Sequence, residues 1–146
     1  MKLNRNTDLR IAINTIDNVF TKPLPLNYER WVSFIDSHLS KFIWKEDTKD
    51  GIQILKDIDN VPDGFKERVL GSLNKVSCYA DFNERKGYYN INVGFSSRNN
   101  WISINFERIP KLEDLNIFLE MANHLDALLL VDGTTIIDEN TLNELT

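Results

Sequence analysis

The chain has 146 residues, 42% of them hydrophobic and 27% charged, with a formal net charge of −5. That length suits one domain with a core that needs no staples, and the composition excludes a disordered or collagen-like chain. A single cysteine, Cys78, excludes an intrachain disulfide, and no apolar run reads as a secretion signal or membrane span, so the expectation is a cytoplasmic protein.

Leu9, Ala12, Ile13, Ile16 and Phe20 follow helical spacing, with Thr7 as a candidate N-cap, although Leu9, Ile11 and Ile13 also alternate as a strand would. Pro23 and Pro25 end this segment, since proline lacks a donor and restricts the residue before it. Asn27 is placed to cap a second helix whose stripe is Trp31, Phe34, Ile35, His38, Leu39 and Phe42. A charged loop, Lys45 to Gly51, leads to Ile52, Ile54 and Leu55, which read as an edge strand. Pro62 then opens a third helix carrying Phe65, Val69 and Leu73.

From Val76 to Glu107 three runs alternate with period two, the pattern of a half-buried antiparallel sheet. Side-chain period and loop length together set the register. Phe82 should face Tyr89, Ala80 face Ile91 and Cys78 face Val93. In the second hairpin Phe95 should face Ile102, Val93 face Ile104 and Ile91 face Phe106. Each hairpin is left with a loop of about four residues. All of these lie on the predicted apolar face. Ser77, Tyr79, Asp81, Tyr88, Asn90, Asn92, Gly94, Trp101, Ser103, Asn105 and Glu107 fall on the other, where Gly94 leaves a shallow trough.

After Pro110 a fourth helix turns Leu115, Phe118, Leu119, Ala122 and Leu125 inward and Glu113, Asp114, Glu120 and Asn123 outward. Leu128 to Val131 suits a strand covered on both faces; if it joins the same sheet in parallel with the third strand, the connection should be a right-handed crossover. Asp132 and Gly133 turn the chain, Ile136 and Ile137 return as a short strand, and Asn140 caps a last helical turn. The expected fold class is α+β in one domain, residues 1–146: N-terminal helices, a three-stranded antiparallel meander, then a helix and a further strand packing on the same sheet.

No catalytic residue, metal-ligand set or cofactor motif emerges. The phrase LLLVDGTTII ends like the loop of aspartate phosphotransferases, but the nucleophile would have to be residue 130, which is Leu130. His38 and His124 lie far apart with no second ligand at metal spacing. Cys78 points to the core and reads as packing. The polar sheet face has aromatics but no Lys or Arg field for phosphates, which argues against nucleic acid. Charge is instead asymmetric: residues 109–146 hold one base, Lys111, against eight acids. A patch of one sign steers and selects a partner of the other.

The small acidic chain, its meander and the stretch IPKLEDLNIFLEMANHLDALLLVDGTTIIDENTLNEL resemble bacterial immunity proteins of polymorphic-toxin and contact-dependent growth-inhibition systems. That resemblance implies a cytoplasmic protein that binds and blocks a cognate, basic toxin domain, often a nuclease, as a monomer or homodimer and without enzymatic activity. The residues expected to meet the partner are Tyr79, Asn92, Trp101 and Asn105 on the sheet, with Glu113, Asp114 and Glu120 on the fourth helix. Two alternatives remain at this level. One is a small-ligand or enzymatic domain using convergent Asp81, Asn90 and Glu107. The other is a structural subunit that dimerises through the sheet.

Overall fold

Leu9–Ala12 form a strand, β1, where helical spacing predicted the start of a helix. In the computed structural model, which describes residues 3–145, β1 lies inside the sheet with a neighbour on each side. That placement is the physical reason for the correction. Pairing on both edges satisfies the backbone of a short segment, and Leu9 and Ile11 both enter the core fully buried. The residues that completed the helical stripe do not share one environment: Ile16 is half-buried and Phe20 is 92% exposed.

The second helix, α1 (Tyr28–Asp36), has the expected cap, since Asn27 Oδ1 accepts the Arg30 N–H at 3.1 Å. It buries Trp31, Phe34 and Ile35. It stops earlier than its stripe suggested, and Phe42–Trp44 form the edge strand β2. The segment read as an edge strand is instead a helix, α2 (Lys49–Lys56), capped by the Thr48 hydroxyl, which accepts the Gly51 N–H at 3.0 Å. Helix α3 (Asp63–Ser72) follows Pro62 as expected but buries no residue of its own.

The meander comprises β3 (Ser77–Asn83), β4 (Tyr88–Ser96) and β5 (Trp101–Phe106), with the predicted register at every pair named above. Helix α4 (Leu112–His124) leads to β6 (Leu128–Val131), β7 (Thr135–Ile137) and α5 (Glu139–Leu145). Asp138, not Asn140, caps α5: its carboxylate accepts the Thr141 N–H at 2.9 Å. Strand β6 joins the same sheet but pairs antiparallel with β1, so no parallel crossover to β5 is needed. The described residues thus give an α+β fold whose sheet runs β2-β3-β4-β5-β1-β6-β7, antiparallel throughout.

Helices α1, α4 and α5 supply the core against one face of this sheet. Trp31, Phe34, Phe118, Met121 and Leu142 meet Leu9, Ile11, Cys78, Ile91, Val93, Ile102 and Ile104 in one cluster. The opposite face is open over β3, β4 and β5. At the β1–β6 margin it is covered: Arg10 pairs with Leu130, so Ala12 and Leu130 point away from that cluster, yet both are fully buried. The segment 13–26 is pinned at this margin. The Ile16 N–H donates to the Gly133 carbonyl at 2.7 Å, and Asn100 Nδ2 donates to the Pro23 carbonyl at 2.8 Å.

Candidate functional site

The meander's alternation breaks at one residue. Asp81 has φ of 58°, a left-handed conformation that aspartate and asparagine adopt more readily than most residues. Its carboxylate accepts from Arg108 Nε at 2.7 Å, and the same guanidinium donates to Asp114 of α4 at 2.6 and 3.2 Å. Asp81 is thereby committed to the helix-covered side, and the adjoining Phe82–Tyr89 pair emerges on the open side. Tyr89 stacks on Tyr79 at 5.3 Å, and Phe82 lies 4.9 Å from Tyr89. Two residues assigned to the apolar face are therefore on the open one, and Asp81, assigned to the polar face, has left it.

This reversal builds an aromatic cleft. Tyr79, Phe82, Tyr88 and Tyr89 line one wall and Thr48 to Gly51 with Ile54 of α2 the other, around a volume of about 660 Å³. Asn92 and Glu107 complete the floor and rim. Helix α2 can fold back against the turn that precedes it because Gly51 has no side chain: a Cβ there would stand 2.0 Å from the Lys45 carbonyl oxygen. Burial, and next the nearby Asp50 carboxylate, push the Tyr79 hydroxyl above its ordinary pKa. Tyr79 is thus a neutral donor at any physiological pH.

The other predicted sheet residues are placed less favourably. Trp101 is half-buried beneath Arg10, whose guanidinium carbon sits 4.4 Å over its ring while pairing with Asp8 at 2.8 Å. Asn105 and Ser103 face a polar hollow bordered by Arg5 to Asp8. Asp81, Asn90 and Glu107 do not converge: Asn90 Nδ2 donates to Asp81 at 3.0 Å, and Glu107 alone of the three lines the cleft.

The acids of α4 lie behind the sheet, on its other side. Glu113 and Glu120 are exposed as expected. Asp114 is not: it is 1% exposed and neutralised by Arg108, with the Lys111 N–H donating a further bond at 2.8 Å. The expectation that Asp114 looks outward is corrected, because a buried carboxylate is stable only when paired and hydrogen-bonded. Between α4 and α5 a concavity of about 440 Å³ is lined by Asn116, Leu119, Glu120, Asn123, Glu139, Leu142 and Asn143. Glu120 also lies 3.8 Å from His38 Nε2. His38 directs its other nitrogen, Nδ1, to the Phe34 carbonyl at 2.6 Å and stacks on the Phe34 ring, the helix-packing role its place on the stripe suggested.

The surface residues missed from the sequence are Phe82 and Tyr89, for which an aspartate in mid-strand was the available signal. Cys78 is buried with its thiol pushed far up by desolvation, an inert packing residue.

Charge at the Arg108 knot gives a pH dependence. Hydrogen bonding from Arg108 is the first cause holding the Asp81 carboxyl below its usual value of 3.8. Asp36 is lowered likewise, first by the bond from Trp44 Nε1 and then through Lys75. A folded pKa below the unfolded one adds stability above the unfolded value, and that stability disappears as pH falls through the folded value. Urea unfolding should therefore show stability falling between about pH 5 and about pH 2, with a flatter curve for Asp81→Asn. An identical slope in wild type and variant would refute the assignment.

No family model, curated protein or solved structure matches this chain. Among the described residues no helix is long and apolar enough to cross a membrane, and no group of His, Cys, Asp and Glu is arranged to hold a metal ion.

Proposed function

We propose that this chain is a protein-binding module, and in its most specific form a cytoplasmic immunity protein that binds and blocks a cognate, basic toxin domain. The observation that carries the reading is the outer surface of α4 and α5. Glu113, Glu120, Asp126, Asp138, Glu139 and Glu144 are exposed there with Lys111 as the one base in the last 38 residues. The α4–α5 concavity sets Glu120 and Glu139 beside three asparagines and two leucines, acceptors around an apolar floor. That is the chemistry that receives a lysine or arginine side chain with its aliphatic stem, as a nuclease offers where it holds phosphate.

Electrostatic complementarity acts on encounter rate and on partner choice, and salt weakens it. Titration of the toxin domain encoded beside this gene should show binding that weakens with added salt. Glu120→Lys should lower the affinity by about tenfold or more. Binding indifferent to salt and to Glu120→Lys would remove this surface from the reading, and a neighbouring gene product that does not bind at all would remove the reading itself.

A further inference from the structure

We infer that the open sheet face is a homodimer interface, in which the Val19–Phe20 tip of each copy enters the aromatic cleft of the other about a two-fold axis along β5. Val19 and Phe20 are 91% and 92% exposed, and the loop holds them there. Asn18 Oδ1 accepts the Phe20 N–H at 2.8 Å and the Asn18 carbonyl accepts the Thr21 N–H at 3.1 Å, closing a turn beneath the two side chains. Asn14 Oδ1 accepts the Leu24 N–H at 3.1 Å across the loop's base. With the pins to Gly133 and Asn100, the tip is a shaped projection with its conformation already set. A pre-ordered aromatic anchor loses little freedom on docking, which is how the dominant contacts of interfaces behave.

The cleft is the concave counterpart on the same chain. Its walls of Tyr79, Phe82, Tyr89 and Ile54 offer a phenylalanine ring the edge and face contacts that aromatic groups prefer. The strand order decides the symmetry. The cleft lies over β3 and β4, second and third of seven; the loop is pinned between the turn that follows β6 and the turn that precedes β5, and so crosses the β1–β6 margin, fifth and sixth. Both margins are equally distant from β5, the fourth strand, so a two-fold axis along β5 exchanges them and makes both contacts at once. Such self-complementarity is what closes an isologous dimer.

Charge agrees with this pairing. Trp101, Ser103 and Asn105, the β5 residues on the axis, are uncharged, and the Arg10 guanidinium that covers the Trp101 ring is paired with Asp8 at 2.8 Å. Asp17 and Lys22 flank the tip, and Lys49, Asp50 and Glu107 border the cleft. None of these five has an ion-pair partner of its own among the described residues. The open strands β3, β4 and β5 have 7, 9 and 6 residues. At about 3.4 Å per residue and about 4.8 Å between strands they offer roughly 350 Å² before the two tips are counted, which places the pairing among weak interfaces. A standard interface takes about 800 Å² per partner. A lipid surface fits less well, because one acid and one base beside the tip cancel and membrane-seeking segments rely on clustered basic residues. The pairing does not depend on the toxin reading and leaves the α4–α5 surface facing outward on both copies.

Sedimentation equilibrium on the full chain at about 100 μM, above the micromolar Kd of weak interfaces, should give twice the 17.0 kDa chain mass. Phe20→Asp, at an exposed position that leaves folding intact by circular dichroism, should give the single mass, and so should Tyr89→Asp. An equimolar mixture of the two variants should recover part of the dimer, because one intact tip then meets one intact cleft. A wild-type monomer, or a dimer insensitive to Phe20→Asp, overturns the proposal. So does a monomer whose Phe20 drives flotation with phosphatidylserine vesicles, which would give the tip a different occupant.

Discussion

Arg108→Ala is expected to cost about 3–5 kcal/mol of folding stability, the range for removing one partner of a buried ion pair. The guanidinium is the only side chain that faces the Asp114 carboxylate among the bonds described, and that carboxylate is almost wholly buried. Without it the charge keeps one backbone donor, the Lys111 N–H, and must either stay unpaired in a poorly polarisable site or take up a proton. The variant also frees Asp81 and with it the reversal that brings Phe82 and Tyr89 to the open face. Urea unfolding measures the loss as a lower midpoint with an unchanged slope. Arg108→Met combined with Asp114→Leu should lose less than Arg108→Ala alone, since replacing both charges by apolar groups removes the orphan. A loss below about 1 kcal/mol for Arg108→Ala would mean that the pair behaves as a solvent-screened surface contact.

Phe118→Ala should cost about 3–5 kcal/mol through lost burial and the cavity left behind. Phe118 is fully buried on the sheet side of α4, edge-on to Phe106 and tilted against Phe42, each at 6.1 Å. It therefore ties the helix to β5 and to the edge strand β2 at once, and neither neighbour can close the gap without moving a strand. Phe118→Leu, which retains most of the volume, should lose much less. Thermal and urea unfolding of the three proteins would check the order; equal losses for Ala and Leu would point to ring-specific contacts and away from volume as the cause.

The sequence was most legible where two constraints had to agree. The meander's register followed from side-chain period and loop length together, and every pair predicted on the apolar face is present. It was least legible where one short pattern served two structures. Leu9 to Ile16 satisfies both a helix and a strand, and pairing with β5 and β6, distant in the chain, decided for the strand. Ile52, Ile54 and Leu55 lie so close in sequence that no period is fixed, and the Thr48 cap decided for a helix. Asp114 carried no local sign of burial, because its partner reaches it only once β5 and α4 are packed. The same knot hid the aromatic cleft, since alternation alone placed Tyr89 and Phe82 in the core. The Val19–Phe20 tip was concealed in the same way, by a helical stripe that the fold does not use.

The proposed division of labour has the acidic α4–α5 surface meeting a basic partner while the open sheet face meets a second copy. Isothermal titration of the neighbouring toxin domain against wild type, Glu120→Lys and Trp101→Ala separates these roles in one experiment. The account predicts affinity lowered by about tenfold or more for Glu120→Lys and unchanged for Trp101→Ala. Affinity lost with Trp101→Ala and retained with Glu120→Lys would place the partner on the sheet and contradict it.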